Sequence, residues 1–144
     1  MAAENKISHY SLRLKELLNI SFPELYTNKR FIERRGQLAA KVYNDAFIAG
    51  NTIEQCNEIA QYVLFEGLHF SKFDTVFKVV CNEFDTIMAD EELRPFALKM
   101  LPVCNLIFEQ FRLTDDFAES YEFELLYTEL TGTIQIWIEE NGLQ

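Results

Sequence analysis

Three residues in the middle of the chain have side chains suited to chemistry. Glu66 and His69 are separated by two residues in the stretch VLFEGLHFSKFDTVFKVV, and Asp74 follows five residues later. Residues three apart share one face of a helix, so this spacing suits a metal ligand pair or a general acid-base pair. We therefore take Glu66, His69 and Asp74 as a candidate ligand or catalytic site, with Tyr127 or Glu129 contributing across a cleft between helices.

The same pattern does not complete a metal centre. A di-iron bundle needs two Glu-x-x-His helices, and the only other histidine, His9, has Lys6 where the glutamate is required. A zinc site built from His9, His69 and one carboxylate is an alternative. The simpler interpretation is a histidine near a helix end or bonded to a backbone carbonyl. We accordingly predict no metal and no other cofactor.

The remaining nucleophiles do not form a known catalytic pattern. Ser71 lies near His69, but the sequence has no G-x-S-x-G elbow and no glycine-rich phosphate loop. Cys56, Cys81 and Cys104 each lie on or beside an apolar stripe, which favours small core residues. Three widely spaced cysteines indicate neither a disulfide framework nor a thiolate zinc site, and they fit a reducing compartment. We predict a cytoplasmic protein without enzymatic activity.

Apolar residues recur every three or four positions along almost the whole chain, which predicts an all-α protein. Residues 131–138 also allow a strand, because three isoleucines alternate there, but the helical period of the surrounding residues favours a helix. Length and composition favour one domain over residues 1–144. The pattern predicts a bundle of about six helices near residues 5–19, 29–49, 52–69, 71–84, 91–111 and 120–140, with a kink or break at Pro102.

Charge is distributed unevenly along the chain. The net charge is −10, with 8 Lys+Arg against 5 Asp+Glu in residues 1–50 and 5 against 18 in the rest. An acidic chain repels phosphate backbones, so direct nucleic-acid binding is disfavoured, and no membrane span is expected. The basic cluster Lys29, Arg30, Arg34 and Arg35 suits an anion or an acidic partner, although a solvated helix face that includes Glu33 is the simpler interpretation.

Aromatic residues are abundant, with 13 Phe, 6 Tyr and 1 Trp in 144 residues. We predict that the phenylalanine surplus and Trp137, together with Tyr127, form a hydrophobic patch that binds a second copy or another protein. A protein-interaction module is therefore the main functional hypothesis. A ligand binder or enzyme that uses Glu66, His69 and Asp74 is the alternative.

Three phrases carry a family resemblance over almost the whole chain: VLFEGLHFSKFDTVFKVVCNEF, LKMLPVCNLIFEQFRLTDDF and ELLYTELTGTIQIWIEENGL. With these phrases the chain resembles an uncharacterised family of small Bacteroidetes proteins, domain of unknown function 1896. The resemblance implies a small, all-helical cytoplasmic protein whose relatives often lie near mobile genetic elements. It implies no activity, cofactor or catalytic residue. Together with the acidic charge, it suggests a further alternative, an acidic mimic of nucleic acid that occupies a basic DNA-binding partner.

Overall fold

The structure, a computed structural model, describes residues 2–143, with side chains described from Asn5 onward. The all-α prediction is confirmed, because the described residues form helices and no strand, and six of the helices are longer than one or two turns. Contacts divide the chain into two compact units, residues 1–69 and residues 70–144, and each is described by itself. The single domain over 1–144 stays a prediction.

Unit 1 consists of three long helices and one short one. The helices are α1 (Ala2–Ser21), α2 (Pro23–Tyr26), α3 (Lys29–Ile48) and α4 (Ile53–Leu64). Helix α3 packs against both α1 and α4, and its Gly36 is the point of closest approach to α1. A Cβ at Gly36 would overlap Ser11 Oγ and lie 3.3 Å from the carbonyl oxygen of Ile7, so any other residue would require Ser11 to move and α1 to shift slightly.

The core of unit 1 is small and aliphatic apart from Tyr10 and Phe22. The ring of Tyr10 is fully buried, and its hydroxyl donates a hydrogen bond to Asn57 Oδ1 at 2.8 Å, which links α1 to α4. Burying a polar hydroxyl is favourable only when it is hydrogen-bonded, so this pair fixes the register of the two helices. The other buried side chains of this core are Leu14, Leu18, Phe22, Ile32, Ala39, Ala40, Ala60 and Leu64.

Unit 2 packs four helices and a short 3-10 helix around a larger, aromatic core. The α-helices are α5 (Lys72–Glu83), α6 (Asp90–Val103), α7 (Asn105–Phe108) and α8 (Glu122–Asn141), and the 3-10 helix spans Phe117–Glu119. Rings meet edge to face, as in Phe70 with Phe117 at 5.3 Å between centroids, the geometry that their quadrupoles favour. The other buried members include Phe73, Val76, Phe84, Phe96, Met100, Leu126, Leu130 and Ile134.

Local signals set most helix boundaries. Thr52 and Gln55 form a capping box at the start of α4, and the Ser71 hydroxyl accepts a hydrogen bond from the N–H of Asp74 at the start of α5. Residues 131–138 lie inside α8, which confirms the helix there. The predicted break at Pro102 is also confirmed, because α6 ends at Val103 and α7 begins at Asn105.

The predicted helix over residues 52–69 is wrong in its last five residues. Helix α4 ends at Leu64, because Gly67 has a φ of +78° that turns the chain, and because the Arg35 guanidinium binds the carbonyl of Leu64 at 3.0 Å. Helix C-termini commonly end at a left-handed glycine, and a cation satisfies their last carbonyls. A tertiary contact from α3 thus overrides the apolar period that continues through residue 69.

Two cysteines lie in the cores. Cys56 and Cys104 are fully buried, and burial raises the pKa of the Cys104 thiol from 9.0 to about 12. Burial in an apolar core disfavours the thiolate, so the neutral thiol packs as a small hydrophobic residue. The expectation that these cysteines are core residues is confirmed.

Replacing Tyr10 by Phe should lower the free energy of unfolding by about 1 kcal/mol, because Asn57 Oδ1 loses its donor while the ring still fills its space. Tyr62→Phe is the matched control, since Tyr62 is 73% exposed. Urea denaturation followed by circular dichroism measures both. Equal stabilities for the two variants would show that the hydrogen bond does not link α1 to α4.

Stability should fall as the pH rises from about 9 towards 12. The unfolded chain releases the Cys104 proton near its ordinary pKa of 9.0, whereas the folded chain holds it to about 12, so alkali favours the unfolded state. The loss from this thiol is at most about 1.4 kcal/mol per pH unit. In Cys104→Ala the free energy of unfolding, measured by urea denaturation, should fall less steeply with pH between pH 9 and 11. An unchanged dependence on pH would show that the Cys104 thiol is not the cause.

Candidate functional site

Glu66 and His69 lie in the turn that follows α4 and not on a helix. Both side chains are exposed, and the backbone between them turns at Gly67. The helical spacing that suggested a paired carboxylate and imidazole is therefore absent. A turn on the surface leaves both groups hydrated, so neither is held in the geometry that acid-base catalysis requires.

Asp74 lies in the first turn of α5 and helps to stabilise the start of that helix. Its backbone N–H donates to Ser71 Oγ at 2.9 Å, and its exposed carboxylate lies near the positive end of the helix dipole. The residues Glu66, His69 and Asp74 stay a prediction as a ligand site. Among the side chains that the structure describes, no three from His, Cys, Asp and Glu come together as ligands for a metal ion.

The one half-buried cysteine is no better activated than those in the cores. Cys81 lies in unit 2, where burial raises its pKa and the carboxylates of Asp85 and Asp90 raise it further. A reactive thiol needs a lowered pKa and a nearby positive charge. The environment of Cys81 has the opposite effect.

Tyr127, Glu83 and Glu129 are the polar groups that α8 brings towards its neighbours. The Tyr127 hydroxyl donates to Glu83 Oε2 at 2.9 Å, and burial raises the pKa of this tyrosine, so it stays protonated and serves as a donor near neutral pH. The Oε2 atom of the half-buried Glu129 has no hydrogen-bond partner among the described residues. Tyr127 and Glu129 are two residues apart on α8 and lie on nearly opposite sides of it, so they do not act on one site together.

Trp137 packs into unit 2 and is only half exposed. Its ring meets Phe96 edge to face at 5.9 Å, and the ammonium of Lys99 lies 5.5 Å from the ring centroid. The tryptophan thus contributes to the core of its own chain. Trp137 and Tyr127 as interface residues stay a prediction, and both already have intramolecular partners.

The phenylalanine surplus is buried, which corrects the expectation of a Phe-rich patch. Among the thirteen phenylalanines only Phe47 is exposed, at 56%, and nine of the thirteen belong to residues 70–144. Unit 2 is built from short helices, and large flat side chains fill the gaps between them. The other exposed large apolar side chains are leucines, isoleucines and tyrosines.

An uncharged surface of unit 2 lies on the side of α8 that faces away from its core. We call it the outer face of α8, and it consists of Leu125, Thr128, Gly132 and Ile136. These positions follow a three-four-four spacing and are all exposed, Leu125 and Ile136 at 55% each. Tyr121, 88% exposed, extends the face by one turn. Glu129 is the only charged residue between positions 125 and 138, and it is half-buried.

A sequence signal for this face was present. Ile134 belongs to the core, so the alternating Ile136 had to project from a different side of the same helix. An amphipathic surface helix normally places polar residues there. The alternating isoleucines, which also allowed a strand, lie in a helix that has apolar residues on two sides.

Comparisons with known proteins place the chain in a family without assigning it a role. It is similar to protein PG0816 from Porphyromonas gingivalis, for which there is a crystal structure. The two structures match with a TM-score of 0.88 and 40% sequence identity, and the match covers 99% of this chain and 97% of that one. No curated protein matches the sequence. No described helix combines the length and apolar composition of a membrane span.

The resemblance carried by the three phrases is confirmed. Residues 2–143 match the family described as Domain of unknown function (DUF1896). Since this match includes nearly every residue, the chain belongs to the DUF1896 family.

Proposed function

We propose that the protein is a helical protein-interaction module without enzymatic activity, which binds a second copy or another protein through the outer face of α8. The observation that carries the proposal is that this face is uncharged over more than three helical turns and exposes the apolar side chains of Leu125 and Ile136 to solvent. Single exposed apolar residues are ordinary, whereas an ordered row of them is typical of an interface. A partner helix would cover Leu125 and Ile136 together.

Gly132 supports the same proposal. It lies mid-helix on the outer face, and a Cβ placed on it would meet no atom within 4 Å, so nothing in its own chain requires glycine there. Glycine inside a helix costs about 1 kcal/mol relative to alanine. A small residue between Leu125 and Ile136 leaves a shallow notch into which a side chain of a partner helix fits.

The positions of the polar groups support the absence of enzymatic activity. Glu66 and His69 are hydrated in a turn, and the thiols of Cys81 and Cys104 have raised pKa values. A catalytic constellation requires groups held together with pKa values matched to their task. We also propose a cytoplasmic location, supported by three free cysteines.

The nucleic-acid mimic is supported less well by the arrangement of carboxylates. Glu124 lies roughly 160° around α8 from Glu122, given 3.6 residues per turn. Imitating a phosphate backbone needs charges in a row on one face. Glu122 and Glu140 share one side of α8, whereas Glu124 and Glu139 lie on other sides, so its carboxylates do not all form one row and the interaction module remains the better proposal.

The double variant Leu125→Glu/Ile136→Glu should weaken self-association by about tenfold or more, because two carboxylates would have to be desolvated in the interface. Light scattering over a dilution series into the high micromolar range measures the change. Ile48→Glu is the matched control, since it adds a carboxylate at an isoleucine that is 75% exposed in unit 1. A strictly monomeric wild type, together with equal behaviour of all variants towards any captured partner, would remove the basis of the proposal.

Gly132→Ala should act in opposite directions on folding and on association. The monomer should gain about 1 kcal/mol of stability from the better helix former, while the methyl group should fill the notch and weaken association. Urea denaturation of dilute protein and light scattering of concentrated protein measure the two effects. Thr128→Ala is the control, because it removes bulk from the same face. If Gly132→Ala left association unchanged, the outer face would not be a close helix contact.

A further inference from the structure

A second surface lies in unit 1, beside the first half of α3. It is a groove of about 410 Å³ lined by Asn28, Arg30, Phe31, Arg34, Arg35 and Leu38, which we call the arginine groove. The lining combines three guanidinium groups with one aromatic and one aliphatic side chain. All six residues lie in or directly before the first three turns of one helix, so the groove is formed without contributions from loops.

Arg35 gives the groove a fixed base. Its Nη1 donates to the carbonyl oxygen of Leu64 at 3.0 Å, and its guanidinium carbon lies 4.8 Å from the centroid of the Phe31 ring. A guanidinium held by a hydrogen bond and by an aromatic face loses little further entropy when it receives a ligand. Arg35 and Phe31 therefore form a preorganised surface.

Arg30 and Arg34 are exposed one turn apart, and neither forms an ion pair with a described side chain. Like charges four residues apart on a helix repel each other, so this pair is unfavourable in the isolated chain. Glu33, which lies directly before Arg34, lines a neighbouring groove with Lys15 and Lys29. The solvated basic face that includes Glu33 stays the alternative interpretation of these residues.

The complementary charge is present in the same chain. Residues 1–69 hold 8 Lys+Arg and 8 Asp+Glu, whereas residues 70–144 hold 5 and 15, so the whole net charge of −10 belongs to unit 2. Two stretches of ten residues there carry five carboxylates and no Lys or Arg, residues 83–92 and residues 115–124, and we call the second the acidic segment. It carries the exposed carboxylates Asp115, Asp116, Glu119, Glu122 and Glu124, and its exposed Tyr121 suits the apolar side of the groove.

We propose that the arginine groove of one copy binds the acidic segment of a second copy. Arginine forks pair with carboxylates through two parallel hydrogen bonds, and Phe31 and Leu38 offer apolar contact to Tyr121. We choose the acidic segment as the occupant because it combines carboxylates for the arginines with an exposed tyrosine for the apolar side of the groove. The inference rests on the proposed interaction function and names a second, electrostatic contact for it.

A peptide titration tests the contact separately from the outer face of α8. The labelled peptide LTDDFAESYEFE, residues 113–124, is titrated by fluorescence anisotropy with the full chain carrying Leu125→Glu/Ile136→Glu. That background disables the outer face, so failure of either proposal is visible without the other. The peptide should bind, and adding Arg30→Glu/Arg34→Glu should weaken binding by about tenfold or more. The control Arg13→Glu/Lys15→Glu makes the same charge change on α1 and should leave binding within about twofold.

Charge reversal completes the test. A peptide with lysine at all five acidic positions should fail to bind the parent chain and should bind the Arg30→Glu/Arg34→Glu chain. Circular dichroism checks that the variants fold, and Arg30→Lys/Arg34→Lys should keep part of the affinity. The proposal is overturned if the acidic peptide does not bind, if both arginine-to-glutamate pairs weaken it equally, or if polyglutamate competes as well as the peptide.

Discussion

The burial of aromatic side chains is the constraint on which the structure of unit 2 depends. Nine phenylalanines fall within residues 70–144, and all of them are buried or half-buried. Each fully buried ring contributes about 1.5–3 kcal/mol relative to an exposed one. Short helices such as α7 cannot be stable alone, so these rings hold them against α8 and α6. Trp137 joins the same core through Phe96, which removes it from the surface.

With the aromatic residues inside, the surface of the protein is decided by aliphatic and charged side chains. Unit 1 has no net charge, but Arg30 and Arg34 remain without carboxylate partners among the described residues. Unit 2 carries the whole net negative charge and one uncharged helix face. A strongly charged surface keeps copies apart, whereas an uncharged stripe lets them approach. The chain thus keeps its two unusual surfaces on different units.

The sequence was sufficient for the fold class because helices leave a local signal. Neighbouring residues determine the three-four apolar period, the capping box of Thr52 and the break near Pro102. The helices and the break were found where the sequence predicted them. The end of α4 was missed, since it depends on Arg35 reaching from another helix. Glu66 and His69 would share a helix face only if α4 continued through residue 69, so the helical pairing is absent, while Glu66, His69 and Asp74 stay a prediction as a ligand site.

The surfaces were harder to predict, because exposure is a tertiary property. A count of phenylalanines does not distinguish a core from a patch, and the helical period marks only the buried side of α8.

Apolar contact and arginine–carboxylate pairing have different effects in an interface. Burial of Leu125 and Ile136 supplies affinity without strong direction, whereas paired charges accelerate encounter and exclude wrong registers. A helical module that uses both would bind weakly through either one alone, so its association should depend on salt and on apolar area together.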